Sequence, residues 1–351
     1  MARVTGGPSR GHACSLVALL CACSTPARVR LLLVDVDADP HGLGGNPGAL
    51  FEIDPAARAA TLLASSREFT DPVDVLADRD GSLLVLDLCG LGGEGRILRV
   101  SADGRDVERV ALPTALVDPT AFARAPDGSI WVCDRGESFP LAQAPGPGAL
   151  FRFAADLSRV DVLASGAPLE VPSDLCFAGG RAFVLDADAF RREIAELSEG
   201  GLFALDAAGG PLETVARLPL VSPLSLAPFD WRIAGGSLKP ESFLITDVNA
   251  DADERTRLRG AVYSWDRVGG TSRFARDDAW RDPSCGTIFD GALLVVDGSA
   301  DPLGLGDDPV GRGFAGRGRG GVWRVDLATR EVVLFCASRE FVNPVRLRCV
   351  P

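Results

Sequence analysis

Six times along the chain an apolar run ends in aspartate: LLLVD (Asp35), LLVLD (Asp87), IWVCD (Asp134), AFVLD (Asp186), FLITD (Asp247) and LLVVD (Asp297), at spacings of 52, 47, 52, 61 and 50 residues. Runs this short, bounded by turn residues, have the length of buried strands rather than of helices. Before each of the last five stands a proline-led segment: DPVDVLA, DPTAFAR, VPSDLCF, SPLSLAP and DPSCGTI. Between the two lies a turn such as DRDG, PDG, AGG or FDG, where glycine supplies the positive φ of a hairpin. After each aspartate a loop leads to a third strand that opens on glycine (GALFEID, GRILRVS, GALFRFA, GGLFALD, GAVYSWD, GGVWRVD) and then to a weaker fourth (ATLLASS, DVERVAL, VDVLASG, ETVARLP, TSRFARD, VVLFCAS). A unit repeated at this period buries its faces by stacking on its neighbours. Four antiparallel strands taken six times predict an all-β, six-bladed β-propeller.

The first unit lacks its proline-led strand, and the chain ends on a spare one, NPVRLRCV from Asn343. The spare strand is expected to pair beside Arg28 to Asp35 and complete the N-terminal blade, which leaves no sheet edge open between the ends. The propeller then spans residues 29–351, and residues 1–28 form a leader and linker.

The succession of Pro-x-x-hydrophobic, a DG turn, hydrophobic-Asp and Gly-x-hydrophobic resembles NHL and YWTD propeller repeats, and more loosely the SMP-30/gluconolactonase class, over residues 29 to 351. The resemblance implies that the strand-end aspartates hydrogen-bond backbone between blades. For a lactonase it implies Glu, Asn and Asp around a central metal. The architecture itself hosts binding modules and enzymes alike.

Three of the loops after the aspartates carry a second pattern. DVDAD (Asp35, Asp37, Asp39), DVNAD (Asp247, Asn249, Asp251) and DGSAD (Asp297, Ser299, Asp301) place oxygen-bearing side chains at alternate positions. Ca²⁺ takes six to eight oxygens, and this spacing gathers three around one point, so these residues are candidate Ca²⁺ ligands. The loops depart from the EF-hand pattern: Pro40, Ala252 or Pro302 stands where glycine is expected, and Asn46, Leu258 or Asp308 where glutamate is expected. An Asx-rich turn at a strand end is the other reading. The first and last loops are near copies, VDVDADPHGLGGNP from Val34 and VDGSADPLGLGDDP from Val296, and ring closure brings them to adjacent blades on one rim. His41, where the sister loop has Leu303, is a candidate loop residue.

In this fold class the proline-led strand lines the central channel. The second residue after each proline is expected near the channel mouth: Asp74, Ala121, Asp174, Ser225, Cys285 and Arg346. Asp74 and Arg346 fall in neighbouring blades, where they can pair. Asp188 to Gly201 places Phe190, Ile194 and Leu197 on one helical face and ends in glycine, which predicts a short helix on the rim after the second strand of the fourth blade.

Composition narrows the function. A net charge of −12 argues against a nucleic-acid partner, and the one basic cluster, GRGFAGRGRGG, reads as a loop. Arg3 and Arg10 precede an apolar run from Ala13 to Cys23 and then small, polar residues, the layout of an export signal. LCAC, ending at Cys23, resembles a lipobox, which makes Cys23 a candidate lipid anchor and the location periplasmic, cell-surface or secreted. Six cysteines lie beyond it, either disulfide-bonded or buried as thiols. His12 falls in the leader, so His41 is the one histidine of the propeller, and chemistry needing two histidines is excluded. Two readings follow. One is an exported, monomeric propeller scaffold that binds a small ligand or protein on its insert-bearing channel face. The other is a Ca²⁺-dependent hydrolase or lactonase. The scarcity of histidine and of channel carboxylates favours the first.

Overall fold

The computed structural model describes residues 29–38, 40–41, 48–88, 94–136, 147–190, 199–233, 241–250, 259–304 and 319–350. They form six four-stranded antiparallel sheets, arranged as the blades of a propeller. In blades two to six the proline-led strand is innermost, at Pro72–Ala77, Pro119–Arg124, Pro172–Ala178, Pro223–Pro228 and Pro283–Phe289. In blade one the innermost strand is Pro344–Val350, followed outward by Arg30–Asp35, Ala49–Asp54 and Ala59–Ser65. The last strand pairs with the first from Arg30↔Val350 to Asp35↔Pro344, so the ring closes within one blade, as the repeat count requires.

The core lies between blades, because each sheet is apolar on both faces. Blades six and one bury Leu31, Phe51, Leu294, Val322 and Phe341 against each other, with the Phe51 and Phe341 rings edge-on at 5.2 Å. Blades four and five do the same through Phe183 and Phe243, 4.7 Å apart. Edge-on and tilted pairs of this kind add about 0.5–1.5 kcal/mol beyond the area they bury.

The glycine that opens each third strand has a packing reason. Gly48, Gly95, Gly148, Gly200, Gly260 and Gly320 each lie against the lead proline of the next blade. A Cβ on Gly148 would stand 2.6 Å from Pro172 Cδ, a distance real carbons do not adopt. Proline and glycine therefore recur as partners across the blade boundary.

Every innermost strand carries the same irregularity. Pairing skips one residue just after the proline, at Val73, Thr120, Ser173, Leu224, Ser284 and Val345. A bulge of this kind inserts an unpaired residue and re-aims the side chains around it.

The helix expected over Asp188 to Gly201 is corrected where the chain is described. Asp188 to Phe190 continue the strand Arg181–Phe190, and Glu199 to Gly201 begin the strand Glu199–Asp206. Phe190 pairs with Glu199, its ring lies 6.1 Å from that of Phe203, and the Arg217 guanidinium covers it at 4.3 Å. These cross-strand contacts hold Asp188–Phe190 and Glu199–Gly201 extended against the helical pattern. Residues 191–198 lie outside the described residues, as do the leader 1–28, Asp39, Cys89, Asp251 and most of the basic cluster.

Candidate functional site

The strand-end aspartates act first on the backbone. The Asp35 carboxylate accepts N–H bonds from Asp37 and Ala38 in its own loop, at 3.1 and 3.0 Å, and from Val342 and Asn343 at the start of the last strand, at 2.8 and 3.0 Å. Asp297 repeats this with Ser299, Ala300, Arg281 and Asp282. Asp134, Asp186 and Asp247 each bind the two N–H groups just before their blade's proline and one in their own loop. Asp87 takes the Thr70 N–H at 2.8 Å. One aspartate per blade thus ties the end of the second strand to the start of the innermost one.

That geometry does not fit a Ca²⁺ shell at Asp35, Asp247 or Asp297. Their oxygens face amide donors inside the blade, all three are buried, and a cation there would stand among N–H groups. Asp37 accepts a bond from Asn343 Nδ2 at 3.0 Å, and the Ser299 hydroxyl donates to Asp282 at 2.6 Å. Asn249 and Asp301 are half-buried. Among the described residues no group of three or more His, Cys, Asp or Glu gathers as a metal site. Asp35→Ala is therefore expected to remove about 3 kcal/mol or more by orphaning buried amides, each worth about 1–3 kcal/mol. Melts of the unsubstituted chain in EDTA and in millimolar Ca²⁺ are expected to superimpose; a Ca²⁺-dependent rise in Tm that Asp35→Ala removes would restore the metal reading.

The centre of the ring holds four charges. Arg348 clasps Asp74 with two bonds, Nε to Oδ1 at 2.8 Å and Nη2 to Oδ2 at 2.6 Å. Arg346 reaches across the channel to Asp174 at 3.0 Å and stands 3.8 Å from Asp74. The expected Asp74–Arg346 pairing is thus present, but each arginine's shorter contact is a different one. Asp74 and Asp174 also accept N–H bonds from the next blade's innermost strand, from Phe122 at 3.1 Å and Leu226 at 2.8 Å. Ser225 does the same for the Gly286 N–H at 2.8 Å and shares a hydrogen with Thr246. Cys285 Sγ sits 3.7 Å from the Leu347 carbonyl. Asp74, Asp174, Ser225, Cys285 and Arg346 are buried, with Asp74 at 0% and Arg346 at 5% exposure, and Arg348 is half-buried. They staple the inner strands of neighbouring blades to one another.

The mouth itself belongs to the bulges. A cavity of about 260 Å³ is lined by Val73, Thr120, Ser173, Leu224, Ser284 and Val345, one from each blade, together with Pro119, Val171, Arg135 and Arg346. Of the residues expected at the mouth from sequence alternation, only Arg346 lines it; Asp74, Ala121, Asp174, Ser225 and Cys285 lie inside the ring. The cause is the extra residue in each inner strand, which shifts the mouth-facing position by one. Thr120, Ser173 and Ser284 donate to carbonyls of the next blade, Pro172, Pro223 and Val345, at 2.7, 2.9 and 2.9 Å. The cavity opens on the end where the second strands finish, since their aspartates bind the residues that begin the inner strands. His41 is exposed on a loop at that end.

Protonation separates rim from centre. Burial pushes the carboxyls of Asp35, Asp186 and Asp297 from 3.8 up to about 6, against the pull of their N–H donors. Burial opposes the charge on Asp74 as well, but Arg348 and Arg346 outweigh it and hold this carboxyl below 3.8. A raised carboxyl binds its proton more tightly in the folded chain than in the unfolded one. Its contribution is therefore full below 3.8 and lost as pH climbs through 6. The depressed Asp74 contributes fully above 3.8 and loses its contribution as pH falls through its folded value. Urea unfolding is accordingly expected to give higher stability at pH 5 than at pH 7, with at most about 1.4 kcal/mol per pH unit from each group, and a decline in stronger acid. A stability that rises steadily from pH 5 to pH 7 would contradict it.

Burial also raises the thiols of Cys133, Cys176, Cys285 and Cys336, which sit in the apolar strands as free thiols, and Cys349 is a free, half-buried one. Of the two readings for the cysteines, the described ones follow the buried-thiol one.

No protein-family model matches the chain, and no curated protein matches it. Among solved structures, a chain of the crystal structure of the nidogen/laminin complex aligns with a TM-score of 0.59 at 12% identity, over 91% of this chain and 97% of that one. The likeness extends to the fold: both are six-bladed propellers, in keeping with the YWTD- and NHL-like repeat pattern.

Arg348 is the residue of the charged centre that alternation from the second position missed. The signal was in the sequence: Arg346 and Arg348 stand two apart on one strand, so their side chains share a face.

Proposed function

We propose that this protein is an exported propeller scaffold that binds a small ligand or a protein partner on the face where the channel opens. The observation that carries this reading is the mouth cavity, lined by one bulge residue from every blade and floored by a charge-balanced centre. A cleft converging from all blades of a rigid ring is where such folds place a site. The hydrolase reading loses support at the same place: Asp74 and Asp174, the two channel carboxylates, are engaged by guanidiniums and amides, and neither is available as a base or metal ligand. The similar solved propeller comes from a complex of nidogen with laminin, which is in keeping with a protein partner. Export rests on the leader, with Cys23 as the candidate anchor.

The site is tested by ligand-detected NMR with a mixed fragment set on the full chain, with Leu224→Trp as the control that fills the mouth. Fragments that bind the unsubstituted chain and not Leu224→Trp support the reading; binding indifferent to that substitution would overturn it. Intact mass of the protein from a bacterial host reads export: a cleaved or lipid-bearing chain beginning near Cys23 supports it, and an uncleaved cytoplasmic chain refutes it.

A further inference from the structure

We infer that the channel mouth is selective for a small apolar molecule bearing a single carboxylate; the inference rests on the mouth being the binding site proposed above. The lining is chemically lopsided. Val73, Val171, Leu224 and Val345 make apolar walls, and the two charged residues among the lining are Arg135 and Arg346, both cationic. The acidic partners stand behind them: Asp118 holds Arg135 at 2.8 Å, and Asp174 meets Arg346 at 3.0 Å from within the ring.

Donors are equally one-sided. The Thr120, Ser173 and Ser284 hydrogens are engaged on carbonyls of the next blade, so the hydroxyls are not the donors left for a ligand. Arg346 is 5% exposed, and its Nη1 is sealed from the cavity and meets Asp174 at 3.0 Å, so Arg135, whose side chain is 29% exposed, is the more accessible guanidinium of the lining. A part-exposed guanidinium on an otherwise apolar wall attracts a carboxylate oxygen more strongly than a neutral acceptor, because both partners of the bond are then charged. An amine or guanidinium entering the same cavity meets like charge.

Size limits the body of the ligand. A cavity of about 260 Å³ lies below the roughly 300–1,000 Å³ typical of drug-sized pockets. It suits one ring or a short alkyl chain, whose apolar part would rest on the valines and Leu224. A free acid and the C-terminal carboxylate of a peptide ending in an apolar residue share this chemistry.

The test is calorimetric titration of the full chain with benzoate, benzamide and benzylamine, with hexanoate and hexanol, and with the tripeptide Ala-Ala-Phe as free acid and as amide. Benzoate and hexanoate are expected to bind at least about tenfold more tightly than their neutral counterparts, a difference of about 1.4 kcal/mol. Leu224→Trp is expected to abolish binding with Tm unchanged. Tighter binding of the tripeptide acid than of benzoate identifies a peptide terminus as the source, and the reverse a free acid. If benzamide or benzylamine binds as tightly and Leu224→Trp blocks it, the carboxylate selectivity is overturned while the mouth stands as a site. If no compound binds, or binding survives Leu224→Trp, both fall.

Discussion

A chain ending at Val342, without residues 343–351, is expected to show no cooperative unfolding transition and to behave as an unfolded or molten species. The deletion removes the innermost strand of blade one and with it four separate supports. Arg346 and Arg348 leave, so Asp74 and Asp174, 0% and 1% exposed, lose their counter-ions. Breaking one buried pair costs about 3–5 kcal/mol. Leu347 and Val350 leave the core, each about 1.5–3 kcal/mol of burial. Asp35 loses one of its four amides, and Arg30–Asp35 becomes an open edge. The total exceeds the lower part of the 5–15 kcal/mol range typical of whole domains. Circular dichroism and calorimetry read the result, and a truncated chain with an unchanged Tm would refute closure through this strand.

Arg348→Met carries the second large effect. Asp74 is buried and takes both of its shortest bonds from this guanidinium. Methionine fills the space and leaves the carboxylate with its N–H donors, Val75 and Phe122, and the more distant Arg346. The expected loss is about 3–5 kcal/mol in urea, with the m-value unchanged. Adding Asp74→Asn is expected to recover part of it, since the neutral amide needs no counter-ion, and the double-mutant cycle gives the coupling directly. A surface pair would weaken in salt, whereas this one is expected to be insensitive to it. A loss under about 1 kcal/mol would place the pair among exposed bridges.

The architecture was legible because its rules recur in every blade. Proline, strand-end aspartate and third-strand glycine look like separate punctuation in the sequence. In space the glycine receives the next blade's proline, and the aspartate ties the residues before its own blade's proline. Repetition of an inter-blade contact is visible as repetition along the chain. The site was legible only in part. Alternation carried the reading to Asp74 and Asp174, which belong to the centre, and passed over Thr120, Ser173, Leu224 and Ser284, which line the opening. A bulge has no residue-type signature here: Val, Thr, Ser and Leu all occupy it. The same limit applies to the acidic loops. Alternate oxygens in Asp35, Asp37 and Asp39 read equally as a cation shell or as an amide-binding turn, and the choice at Asp35 is made by Val342 and Asn343, far away in sequence.

That distance has a consequence for how the protein is made. Asp35 and two of its four amide donors, Val342 and Asn343, are separated by 307 and 308 residues. At roughly 5–20 residues per second, a ribosome delivers the donors about 15–60 s after the acceptor. The guanidiniums that neutralise the centre arrive in the same final stretch, after both aspartates they serve. Until then the nascent chain can stack blades pairwise but cannot close its centre without burying unmatched charge. The last strand is thus a completion signal: its arrival, rather than the formation of any one blade, is the event that commits the ring.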